Sequence, residues 1–274
     1  MALFPFAGDN SIQNVVFALE WAEPLTNSDL AAIYAYREDP KATLIRKTFP
    51  QVQQQRMVTI NLDADSGAQH ANAIPNELGG INFTRPSVTN IGAASRALIV
   101  SKSNCLAVVS EYTRWATVWA EVREWLSLIT PKIADARPIT TIGLQYTDVF
   151  LWKAAPSSFD LNSIFSQTTD FLPKNAFKTN GLWHSHHGYF ARHEIPIQHD
   201  LLENVNVNVL ENTGLRSIQI LTSHKAILTT PIWKSMEVMD ALDLMMPDLH
   251  SRNKAVLEDL LTPEVKAAIK LKSN

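Results

Sequence analysis

The sequence predicts an α+β fold of two similarly ordered halves, each an antiparallel sheet with helices on one face. Three observations predict it. Strand-type alternation recurs in consecutive segments instead of taking turns with helices, which is the pattern of an antiparallel sheet. Two long stretches, 111–129 and 235–271, carry apolar residues at helical spacing. The order strand, helix, several strands, long helix occurs twice, with a division near Asp148–Trp152. At about 150 residues per domain, the 274 residues make two units, 1–150 and 151–274, or one continuous domain.

The elements follow in order. Residues 14–21 place Val15, Phe17, Leu19 and Trp21 on one face, the period-2 signature of a strand ended by Pro24. Asn27 or Ser28 can cap a helix to about Glu38, with Leu30, Ile33 and Tyr34 at helical spacing and Pro40 beyond it. Residues 56–62 alternate as a second strand, 63–80 read as a polar loop, and 81–85 as a short strand. Residues 96–100 and 105–110 flank the polar turn Lys102-Ser103-Asn104, which makes a hairpin. Trp115, Val118, Trp119, Val122, Leu126 and Ile129 form one face of a helix over 111–129, and Pro131 stands where it should stop.

Residues 139–152 read as a long strand, with Ile142, Leu144 and Tyr146 on one face. The second half repeats the order. Residues 161–172 form a short helix, and 181–191, 204–209 and 217–228 form three strands. The middle strand sets Val205, Val207 and Val209 against Asn204, Asn206 and Asn208. Residues 235–249 are helical with Met236, Met239, Leu242 and Met246 inward, and 252–271 continue as helix, broken and restarted at Thr262-Pro263-Glu264. This order resembles the saddle of the TATA-binding protein, a likeness of topology that implies no function.

Composition narrows the function classes. Lys+Arg 24 against Asp+Glu 27 leaves a net charge of −3, without the basic excess that binds phosphate backbones or anionic membranes, so nucleic acid is not the expected partner. The small basic run of Arg37, Lys41, Arg46 and Lys47 does not change that balance. The apolar runs fall short of the roughly 20 residues that cross a bilayer. One cysteine excludes an intramolecular disulfide framework and fits a reducing compartment, so the expected location is the cytoplasm. The apolar start Met1–Phe6 lacks the flanks of a leader.

Five of the eight histidines crowd into residues 184–199: His184, His186, His187, His193 and His199. Gly181-Leu182-Trp183-His184-Ser185-His186 resembles the zinc motif of JAB/MPN metalloproteases, whose His-x-His pair supplies two imidazoles. That resemblance implies a metal-dependent hydrolase on His184 and His186. The rest of the motif is missing, because Glu194 and Ile197 occupy the places of its Ser and Asp. The favoured reading is therefore a strand, with His184 and His186 on one face and His187 on the other, and no cofactor. Cys105 enters an apolar strand as a small core residue, and the serine-hydrolase elbow, the Walker loop and the dinucleotide glycines are absent from the sequence. Trp125, rotated partly off its helix's apolar face, is a candidate interface anchor. The terminal set of Leu249, Val256, Leu257, Leu260 and Leu261 is wider than one buried stripe requires and is a second candidate interaction surface.

Three further segments carry a resemblance. They are Tyr112-x-x-Trp115, the strand Gly143-Leu144-Gln145-Tyr146-Thr147-Asp148, and the run from Leu249-His250 through Lys254 and Leu257 to Leu261-Thr262-Pro263-Glu264. They resemble a sporadically distributed, uncharacterised prokaryotic protein family. In it an aromatic-x-x-Trp helix precedes a "GLRYIN"-like strand and the chain ends on an "LIT-x-E" helix. Gln145, Asp148 and Leu257 depart from that pattern. The resemblance implies a fold and no enzymatic mechanism. Patchy occurrence is a habit of accessory genes, phage-defence ones among them. Together these readings point to a non-enzymatic protein-interaction module: an adaptor, sensor or antitoxin-like partner acting as an oligomer or with another protein.

Overall fold

The computed structural model describes residues 2–62, 69–179 and 181–271. In chain order the elements are β1 (Leu3–Pro5), β2 (Ile12–Trp21), α1 (Asn27–Tyr36), α2 (Thr43–Thr48), β3 (Gln51–Leu62), β4 (Gln69–Pro86), β5 (Ala94–Ser101) and β6 (Asn104–Val109). Then come α3 (Trp115–Ala134), β7 (Ile139–Trp152), β8 (Trp183–His193), β9 (His199–Asn212), β10 (Leu215–Ile232), α4 (Ser235–Leu260) and α5 (Pro263–Ala268). The strands form a single ten-stranded open sheet in the order β3-β4-β5-β6-β2-β7-β10-β9-β8, antiparallel throughout, with β1 also on β7. The α+β class and the antiparallel sheet are thus as the alternation predicts. No helix among the described residues is long and apolar enough to cross a membrane.

Alternation decides which side of the sheet is covered. Val15, Phe17 and Leu19 of β2, Ile142, Leu144 and Tyr146 of β7, and the apolar faces of α1, α2, α3 and α4 share one buried cluster. A second cluster joins Phe150 and Trp152 of β7, Val205, Val207 and Val209 of β9, and Ile218 and Ile220 of β10 to the C-terminal half of α4 and to α5. The intervening residues point the other way. Across adjacent strands they set Asn204, Asn206 and Asn208 beside Ser223, Leu221 and Gln219, and Gln145 beside Ser223 and Val16.

Several elements differ from their sequence expectation. Thr26, not Asn27 or Ser28, caps α1, in a reciprocal box with Asp29. The loop assigned to 63–80 is corrected from Gln69 onward, where β4 pairs with β3. Residues 63–68 lie outside the described ones. The stretch QHANAIPNELGG mixes Asn, Pro and Gly, residues depleted in strands, and so carries no alternation to read. Pro131 lies inside α3, which runs one turn further because Ile133 and Ala134 are buried. The helix expected over 161–172 reduces to a single 3-10 turn, Leu161–Ser163. Its polar residues bond elsewhere: the Thr169 hydroxyl (2.5 Å) and the Asp170 amide (3.1 Å) donate to Asp259 on α4. The terminal helix begins at Ser235 and restarts behind the Thr262 cap as expected, but its two expected pieces, 235–249 and 252 onward, are one helix unbroken through Pro247 to Leu260. Met236 is exposed rather than inward, while Met245 and Met246 are buried.

Candidate functional site

The site begins where one strand position changes hands. β1 pairs with the far end of β7, at Phe150–Trp152, and β2 takes over from Asp148 backward. Between them the chain leaves the sheet at Phe6 and returns at Ser11, beside Asp148. Ser11 then makes two bonds to β7: its hydroxyl donates to Asp148 Oδ1 at 2.6 Å, and its carbonyl accepts from the Val149 amide at 2.7 Å. This gap in the pairing opens a cavity of about 540 Å³ over the helix-covered face of β7.

Four other segments wall it. On β7, Tyr146 and Asp148 follow Ile142 and Leu144 in the inward register. Tyr112, in the connection from β6 to α3, sets its ring edge-on to Tyr146 at 6.3 Å. Trp115, the first residue of α3, stacks flat on His250 at 4.1 Å and 7°. On α4, His250, Asn253, Lys254 and Leu257 fall on one face at i, i+3, i+4 and i+7. The Tyr146 hydroxyl and His250 Nδ1 share a hydrogen bond of 2.9 Å, and Asn253 Oδ1 accepts from the Thr222 hydroxyl. Ile269 to Leu271 close one side, where Lys270 meets Asp9 at 2.7 Å.

The electrostatics of the cavity follow from burial. Asp148 is 1% exposed, and its Oδ2 is buried without a hydrogen-bond donor. Burial pushes this carboxyl up to about 6, against the opposing Ser11 bond. Burial, then Lys254 nearby, lowers His250 to about 4, so the imidazole is neutral at neutral pH. Burial and the neighbouring Asp148 raise Tyr112 to about 12, and burial takes Tyr146 well above the ordinary phenol value. The cavity therefore offers one buried, half-satisfied carboxyl among neutral phenols and a neutral imidazole.

The sequence candidates lie elsewhere. Trp125 is corrected from half-exposed anchor to core: it is 1% exposed and meets Phe49 edge-on at 4.9 Å. Leu249, Val256, Leu257, Leu260 and Leu261 are also buried, so the free apolar surface expected of them is corrected too. The apolar surplus of α4 is taken up on two sides, by the sheet and by the 159–172 segment, whose Phe165 pairs with Leu261. Of this set only Leu257 reaches the cavity. His184 and His186 are exposed on β8 opposite Asn208 and Asn206, with ring centroids 6.4 Å apart. His187 turns to the other face and meets Phe171 at 5.7 Å. Among the described residues no three His, Cys, Asp or Glu side chains group as metal ligands. Cys105 is fully buried, and burial pushes its thiol up to about 12.

Tyr112, Tyr146, Asp148 and His250 were not singled out as site residues by the sequence reading, although all four stand in the segments that carry the prokaryotic-family resemblance. One signal was available: Asp148 occupies the inward register of an otherwise apolar strand face, between Tyr146 and Phe150. No family model, no curated protein and no solved structure matches this chain.

Proposed function

We propose that the protein is a non-enzymatic recognition module that binds a small polar ligand in the cavity over Asp148 and acts with a protein partner or a second copy of itself. One observation carries the reading: a fully buried carboxyl keeps an oxygen without a donor, at the wall of a cavity of ligand size. An unpaired buried polar group costs stability, and such costs persist where a ligand supplies the missing partner. Burial keeps the phenols of Tyr112 and Tyr146 and the imidazole of His250 uncharged at neutral pH, which leaves Asp148 as the charge-bearing group of the inner cavity.

The partner half of the proposal draws on the sheet face away from the helices, where Asn204, Asn206 and Asn208 lie beside Ser223, Leu221 and Gln219. The two halves are also read as repeats. β6 returns to pair with β2 and is followed by α3; β10 returns to pair with β7 and is followed by α4. The family resemblance, a cytoplasmic location and a place in an accessory or defence system remain part of the same proposal.

The test is equilibrium dialysis of the wild type and of Asp148→Leu against a metabolite extract, read by mass spectrometry. At least one small molecule should be concentrated by the wild type and not by the variant. Retention of nothing, or equal retention by both proteins, would overturn the reading.

A further inference from the structure

We propose that the ligand is an amino acid, its ammonium group seated on Asp148 and its carboxylate held at the cavity rim by Arg114 and Lys254. This rests on the reading of the cavity as a ligand site and names the chemistry that fills it.

The inner end selects the ammonium. Asp148 Oδ2 accepts nothing from the protein, while Oδ1 accepts from Ser11, so Oδ2 is the oxygen to which a ligand brings a hydrogen-bond donor. A charged donor suits a buried carboxylate best, because charge-assisted bonds are roughly twice as strong as neutral ones. A planar donor pair of the guanidinium type would have to share Oδ1 with the Ser11 hydroxyl. A tetrahedral ammonium needs only Oδ2 and spends its other protons on neighbouring oxygens, here the phenols of Tyr112 and Tyr146. Their ring faces also favour a cation.

The rim selects the opposite charge. Arg114 and Lys254 line the same cavity, and the one acid there besides Asp148, Asp9, is already paired with Lys270. The field thus runs from a buried acid to a basic rim, which matches a molecule with an ammonium at one end and a carboxylate at the other. The lining also includes Leu257, Ile269 and the Tyr112 ring, apolar surface that accepts a side chain. The volume of about 540 Å³ falls within the range of small-molecule sites.

The experiment is a thermal-shift and calorimetric titration of the full chain with each of the twenty standard amino acids, each N-acetylated counterpart, and the matching amine without a carboxylate. One or more free amino acids should bind saturably, and the N-acetyl forms should not. Asp148→Asn should weaken binding at least tenfold. Arg114→Ala should weaken it less, and should leave the carboxylate-free amine unaffected. Tyr112→Phe serves as a second variant should Asp148→Asn fail to fold, with a loss of several-fold expected. If an N-acetyl form binds as tightly as the free amino acid, or Asp148→Asn binds unchanged, the cavity reading stands and the ammonium assignment is wrong. If none of the twenty binds, the amino-acid proposal is overturned, while the dialysis experiment still decides the cavity reading.

Discussion

Asp148 and Trp125 show how far one side chain's surroundings outweigh its type. Burial raises the Asp148 carboxyl from its ordinary value of 3.8 to about 6. Its folded pKa is raised, so stability is lost as pH climbs from about 4 through 6 and the penalty is complete above that. Two pKa units correspond to about 3 kcal/mol. Asp148→Asn should therefore flatten the pH dependence between pH 4 and 7 and raise stability at pH 8 by up to about 3 kcal/mol. Urea unfolding at pH 4.5 and pH 8 checks this; a variant weaker than wild type at pH 8 would contradict it. Trp125→Ala opens a cavity beside Phe49 and should cost about 3–5 kcal/mol, read from the same urea curves. A loss under 1 kcal/mol would mean that the indole is not core. Helical phase alone put Trp125 at the edge of its stripe. It is buried because α2 and the Phe49 that follows it cover that flank, a packing partner remote from α3 in sequence.

At the scale of elements, the strands were largely legible and the irregular connections were not. Val205, Val207 and Val209 against Asn204, Asn206 and Asn208 fix β9 without ambiguity, because one slip would bury three amides. The 161–172 segment shows the opposite case. Leu161, Ile164, Phe165 and Leu172 are spaced well enough for a helix, yet Thr169 and Asp170 find better partners on α4. The site was readable only in pieces, since its walls come from five separate segments and nothing local marks where β1 yields to β2. The C-terminal turn is another element whose role needed the fold. Thr262 donates to the Ser163 carbonyl at 3.1 Å and Val265 is fully buried. Truncation after Leu261 should lower the urea midpoint and strip one side of the cavity. An unchanged midpoint would show that α5 is dispensable to the fold.

In the whole molecule, β7 is the strand that both sides of the sheet share, with β2 and β1 along one edge and β10 along the other. Its amides are screened on both edges, and one of its faces lies under α4. Native-state hydrogen exchange should therefore be slowest in β7 and its neighbours β2 and β10, and fastest in the edge strands β3 and β8. Protection that peaks in β8 would contradict this topology.

The cavity's scattered walls have a consequence for biosynthesis. Its lining spans the chain from Asp9 to Leu271. At about 5–20 residues per second, the first wall waits roughly ten to fifty seconds for the last to leave the ribosome. A nascent or prematurely terminated chain has no closed pocket, and a protease cut that lets the segments part destroys one already formed. A closed pocket would thus be confined to copies that carry all five segments together, and a ligand that fills it would report their joint presence rather than translation alone.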